Sequence, residues 1–170
     1  MKLFIETKPF KMDAPKLLLL EMMEFYGMKE ILGPASNNKL IQIIRKYVSS
    51  ADDDSTTSWC SILLDHVAKE NGIERSDSPA AVSWKKVGQS IDIDDVKLGD
   101  IMVFYRSTES NWQGHVGVFI SHSEKDGYVW LLGGNQSNQV NIQHQSLTKL
   151  RKDGIRRLNY TDKEMEDYIT

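Results

Sequence analysis

One cysteine and four histidines carry the nucleophilic chemistry available to this 170-residue chain. Cys60 lies in the stretch Thr57-Ser58-Trp59-Cys60-Ser61-Ile62-Leu63-Leu64-Asp65, where a helix should begin. Trp59, Ile62, Leu63 and Val67 recur at helical spacing and mark one apolar face. Thr57 or Ser58 can cap the start, Lys69 falls in the last turn, and Gly72 suits the position just past the end. A thiol in the first turn stands in the positive end of the helix field, which stabilises the thiolate and lowers a pKa of about 8.5 toward neutrality. That is what a nucleophilic cysteine requires. The competing reading is a small buried hydrophobe, the commonest use of a free cysteine.

A thiolate needs a base, and the histidines differ as candidates. His66 lies further along the same helix and cannot easily turn back toward Cys60. His122 sits beside a charged turn and His144 in a polar stretch, so both read as surface residues. His115 follows Gly114 and opens the hydrophobic run His115-Val116-Gly117-Val118-Phe119-Ile120, at a sheet edge where a strand emerges from a loop. A core strand packed on the cysteine helix brings that imidazole to the thiol. A third group must hold the ring through its other nitrogen. The next strand ends in Leu132-Gly133-Gly134-Asn135-Gln136, and an antiparallel neighbour can place Asn135, a neutral acceptor, beside His115.

The elements that must position these groups follow in order. Residues 1–14 read as an extended arm, and Asp13 with Pro15 opens a buried helix running to Tyr26. Asn37 or Asn38 caps a second helix with Leu40, Ile43, Ile44 and Tyr47 on its inner face. Asp52-Asp53-Asp54 reads as a solvated loop, since the alternating oxygens of a calcium loop are missing. Ser78 and Pro79 open a short helix bearing Trp84, which either lines a groove or fills the core. Strands are expected at Ile101–Tyr105, His115–Ile120, Tyr128–Leu132, Gln139–Ile142 and Ile155–Leu158. Helices followed by a meander of strands is an α+β order, with an antiparallel sheet packed on the cysteine helix.

Composition bounds the rest. The length suits one domain, read here as residues 1–170 with 159–170 as a tail. A net charge of −3 argues against nucleic acid as a partner. A single cysteine excludes an internal disulfide and a cysteine-based zinc site, and no metal or cofactor is expected. Leu17-Leu18-Leu19-Leu20 is far too short to span a bilayer, and Met1-Lys2-Leu3-Phe4-Ile5 meets charges before any signal-peptide core develops. The expectation is synthesis in the cytoplasm without a cleaved leader, and no membrane insertion.

Four fragments in order, Ser58-Trp59-Cys60, Leu98-Gly99-Asp100-Ile101, Gly114-His115-Val116-Gly117 and Leu132-Gly133-Gly134-Asn135-Gln136-Ser137, resemble the NlpC/P60-type and CHAP-type cysteine peptidases, closest to the cell-wall lytic subgroup of phage and bacterial proteins. The similarity spans roughly residues 22–158, including the lead-in Lys29-Glu30-Ile31-Leu32-Gly33-Pro34-Ala35-Ser36-Asn37. It implies a papain-like fold and hydrolysis of an amide bond in peptidoglycan, within the stem peptide or between sugar and stem. By the match, Cys60 is nucleophile, His115 general base and then acid, and Asn135 the orienting residue, with Gln136 an adjacent rival. Asparagine stands where the family allows histidine or an acid.

The resemblance further implies that Gly114 and Gly134 let a substrate backbone come close. Trp59, Trp84, Trp112 and Gln136 complete the candidate substrate contacts. The partner is the stem peptide of the wall, reached by phage lysis or by export as an antibacterial effector, the latter with an immunity protein. A binding or phage structural module on the same fold, with the three tryptophans as its contact surface, is the alternative.

Overall fold

A computed structural model describes residues 12–33 and 35–162. Three helices precede an antiparallel sheet. Helix α1 spans Ala14–Met23, α2 Asn38–Arg45 and α3 Cys60–Glu70. The strands are β1 Gln89–Ser90, β2 Ile101–Tyr105, β3 Gly114–His122, β4 Tyr128–Gln136, β5 Gln139–Ser146 and β6 Leu150–Arg157. They form one sheet in the order β1-β6-β2-β3-β4-β5. The expected α+β architecture is therefore present. Most of the expected extended arm lies outside the described residues, as does the tail beyond residue 162.

The local signals explain most of the elements. Asp13 caps α1, accepting from Lys16 N at 3.0 Å, and Asn37 caps α2, accepting from Lys39 N and Leu40 N. Neither Thr57 nor Ser58 caps α3: the position is taken by Trp59, which makes no side-chain capping bond. The Ser78–Trp84 segment also departs from expectation, forming a 3-10 helix over Ala81–Lys86 that starts beyond the proline. Strands β2 to β5 form the expected meander, and β6 crosses back to pair with β2. Strand β3 consequently lies inside the sheet rather than at its edge, with His115 near its beginning.

The sheet is packed on both faces, which is why β2 reads as a continuous apolar run. Ile101 and Val103 face the helices together with Val116, Val118, Leu132, Trp59, Ile62 and Leu63. The alternate residues Met102 and Phe104 join Phe119, Val129, Leu131 and Ile155 in a second cluster. Helix α3 packs on β3 and β4 with α1 and α2 against its other sides, so its burial extends beyond the expected stripe to Ser61, Leu64, Asp65 and Ala68.

The aspartate loop is the clearest structural correction. Asp54 is fully buried, and its carboxylate accepts from Ile31 N at 3.3 Å and Asn37 N at 2.8 Å. Its own N–H donates to Ser36 Oγ. The lead-in segment before α2 is thereby latched to the approach of the cysteine helix, and Glu30 in that segment accepts from Trp59 Nε1 at 3.0 Å. Only Asp52 and Asp53 are left to water or to local turn bonds.

Candidate active site

Cys60 is the first residue of α3 and is 2 % exposed, so its sulfur meets protein on nearly every side. The first-turn N–H groups of a helix have no intrahelical acceptors and point at whatever stands there. Strands β3 and β4 are paired as far as Val118 and Leu132, and Val116 beyond that point has no β4 partner. Its N–H, the His115 ring and the Ser58 hydroxyl all stand close enough to the Cys60 sulfur to favour its ionised form. Burial pushes the thiol up, but the interaction with His115, the Val116 N–H and Ser58 outweigh it and bring the thiol down to about 7. Cysteine and histidine, 55 residues apart in sequence, are thus neighbours, and the thiol is poised to ionise near neutral pH.

The third group is not the expected one. His115 Nε2 lies 2.9 Å from Gln136 Oε1, whereas Asn135 Nδ2 donates to Ser58 Oγ at 3.4 Å. The reason is a bulge. Continuing the Val118–Leu132 register by three further pairs would set Asn135 opposite His115. Between Gly133 and Gln136 the β4–β5 register shifts, and Asn135 takes a left-handed backbone with φ 56°. The extra residue turns Asn135 toward Ser58 and brings Gln136 to the ring.

Gln136 is 3 % exposed and held firmly in that role. Its Nε2 donates to Leu131 O at 3.2 Å, Asn141 O at 2.6 Å and Asn141 Oδ1 at 3.1 Å. Three acceptors around the nitrogen leave the amide oxygen to face His115, so the ring carries its proton on Nε2. Nδ1 is then the nitrogen with a lone pair for the thiol proton. Asn141 Nδ2 returns a bond to Gln136 O at 3.2 Å. The need for such a network is not visible in the spacing of single residues, although Asn141 stands in a strand that alternates with apolar neighbours.

The remaining candidates divide sharply. Trp59 and Trp84 are fully buried. Trp84 Nε1 donates to Ser61 Oγ at 2.9 Å, inside the core, and neither indole can form a contact surface. Trp112 is 66 % exposed, on the loop between β2 and β3. The two glycines are each needed by the packing around them. A Cβ on Gly114 would collide with Phe104 O of the paired strand, and one on Gly134 would lie 2.6 Å from Trp59 Cζ3. Gly134 is glycine so that the buried indole can lie against the β4 backbone.

A groove of about 250 Å3 opens beside His115, walled by Phe104, Tyr105, Asn135, Gln136 and polar residues of β5. A larger cavity of about 420 Å3 lies elsewhere, around Asp13, Asp100 and Arg157, and touches none of these groups. Among the described residues no group of three or more histidine, cysteine or carboxylate side chains could hold a metal ion. No helix there is long and apolar enough to cross a membrane.

No protein-family model and no curated protein matches the chain. Solved structures do. An NlpC/P60 family protein from Bacillus cereus ATCC 10987 is similar over 88 % of this chain and 41 % of its own, with 17 % identity and a TM-score of 0.50. A protein described as similar to lipoprotein, of the NLP/P60 family, from Staphylococcus aureus subsp. aureus Mu50 is similar over 89 % of this chain and 44 % of its own, at 19 % identity and a TM-score of 0.46. The P60 domain of an antigen from M. avium subspecies paratuberculosis is similar over 86 % of this chain and 93 % of its own, with 13 % identity and a TM-score of 0.44. The chain spans less than half the length of the first two. The fold is of the NlpC/P60 type.

Proposed function

We propose that the protein is a thiol hydrolase that cleaves an amide bond in peptidoglycan stem peptides. The observation that supports this most directly is the chain of contacts Cys60–His115–Gln136 at the start of α3. It supplies a nucleophile, a base and an orienting acceptor in one place. NlpC/P60-type architecture around it favours a wall peptide over other amides.

In the proposed reaction His115 Nδ1 takes the thiol proton and the Cys60 sulfur attacks the scissile carbonyl. The oxyanion develops at the start of α3, where the Cys60 N–H is oriented to receive it. Collapse breaks the C–N bond, the imidazolium hands its proton to the departing amine, and a thioester remains on Cys60. Water, deprotonated by His115, then releases the acid and restores the thiol. Gln136 keeps the ring in the tautomer that both halves need, and is assigned here the orienting role that the sequence reading attached to Asn135.

On this reading the protein works at the cell wall, as a phage lysin or as an antibacterial effector delivered there. An effector would be matched by an immunity protein covering the groove. The alternative of a wall-peptide binding module loses two of its three contact tryptophans to the core, with only Trp112 left exposed. Incubation with purified sacculi separates the readings. Hydrolysis releases amino groups and ceases in Cys60→Ala; retention on sacculi without release, by the unaltered protein, would leave only the binding module.

A further inference from the structure

The groove beside His115 has a charge and a position that the reaction described above does not use. Besides His115, Arg106 and Lys149 are the charged residues in its described lining, and no carboxylate joins them. Amide and hydroxyl side chains supply most of the remaining wall. In a chain of net charge −3 with 24 acidic residues, a groove bordered by cations alone is a local reversal of sign. The two cations are also carried on connected elements. Lys149 Nζ donates to the Arg106 carbonyl at 3.4 Å, and Tyr105 OH donates to Thr148 O at 2.8 Å, tying the turn before β6 to the end of β2.

Position then says which part of a substrate enters. Cys60 approaches His115 from α3, whereas the groove is built from the sheet and includes no residue of α3. During amide cleavage the acyl carbon stays on sulfur, and the imidazole delivers its proton to the leaving nitrogen. The leaving amine therefore sits at the ring, and its substituents extend past the ring into the space beyond.

We propose that this groove binds a carboxylate on the leaving-amine side of the substrate, paired with Arg106 and Lys149. The inference rests on the hydrolase reading and narrows it: the preferred substrate releases an amine that carries a free carboxylate near the cut bond. An arginine and a lysine lining one cleft suit that group far better than a carboxamide or a sugar hydroxyl.

Binding by the Cys60→Ala protein tests this without relying on turnover. Two peptides are compared by calorimetric titration, identical except that the residue after the scissile amide ends in a carboxylate in one and a carboxamide in the other. The carboxylate peptide should bind about tenfold more tightly, and the ratio should fall toward one in Cys60→Ala/Arg106→Gln/Lys149→Gln and at high salt. Equal affinities, or no measurable binding of either peptide, would overturn the carboxylate site. A preference that survives the two glutamine substitutions would overturn the assignment to Arg106 and Lys149. Absence of cleavage by the unaltered protein, despite a binding preference, counts against the hydrolase reading and not against the groove.

Discussion

Gln136 Oε1 accepts from His115 Nε2 across 2.9 Å, and it can do so only because the other end of the same amide is committed to three acceptors. The orientation of the His115 ring is thereby decided by the Leu131 carbonyl on β4 and by the backbone and side chain of Asn141 on β5. A carboxylate could not replace the amide, since it would present oxygen to those same acceptors.

Gln136→Ala should therefore lower kcat about 10- to 100-fold, the loss of one hydrogen bond to a group that becomes charged during the reaction. Asn135→Ala should cost clearly less, and Gln136→Glu should fail to rescue. Steady-state kinetics on a soluble stem peptide read all three. Larger loss in Asn135→Ala than in Gln136→Ala would return the orienting role to Asn135.

The thiol held near 7 leads to a pH prediction with a definite sign. A depressed acid is already ionised at a pH where an ordinary thiol is not, so the rate of Cys60 alkylation by iodoacetamide should rise with a midpoint at about 7. His115→Ala removes the interaction with the ring and leaves burial opposed only by the Val116 N–H and Ser58. The midpoint should then move clearly upward from about 7. An unchanged midpoint would mean that His115 does not stabilise the thiolate.

Gly134→Ala distinguishes packing from substrate approach. Its new Cβ would lie 2.6 Å from Cζ3 and 2.8 Å from Cε3 of Trp59, a buried ring that cannot step aside. Overpacking of this kind costs about 1–3 kcal/mol, and urea denaturation should show it. A variant of undiminished stability that had lost only activity would assign Gly134 to the substrate instead.

Arg157 holds a fully buried carboxylate, with Nε 2.8 Å from Asp100 Oδ1 and Nη2 2.7 Å from Oδ2. Arg157→Leu leaves that charge without its ion-pair partner, and the expected loss is about 3–5 kcal/mol in unfolding free energy. Calorimetric or chemical unfolding checks it. The same substitution lies far from the groove beside His115, so residual folded protein should keep its alkylation profile.

Much of this protein is legible in its amino-acid order because the signals are local. The periodicity of Ile62, Leu63 and Val67, the Asn37 cap and the apolar run Ile101–Tyr105 each act within a few residues, and each element stands where those signals set it. Cys60 and His115 could be paired from the sequence because one opens a helix and the other begins a core strand. Three features belonged to the tertiary structure alone. A one-residue bulge in β4 exchanged Asn135 for Gln136, since side-chain facing in a strand reverses with every inserted residue. Asp54 went from an acidic loop to a buried latch because main-chain N–H groups from residues 31 and 37 converge on it. Trp84 went inside because the sheet and helices close over it, and whether an aromatic outside a periodic stripe faces core or ligand depends on what packs above it, which no local pattern records.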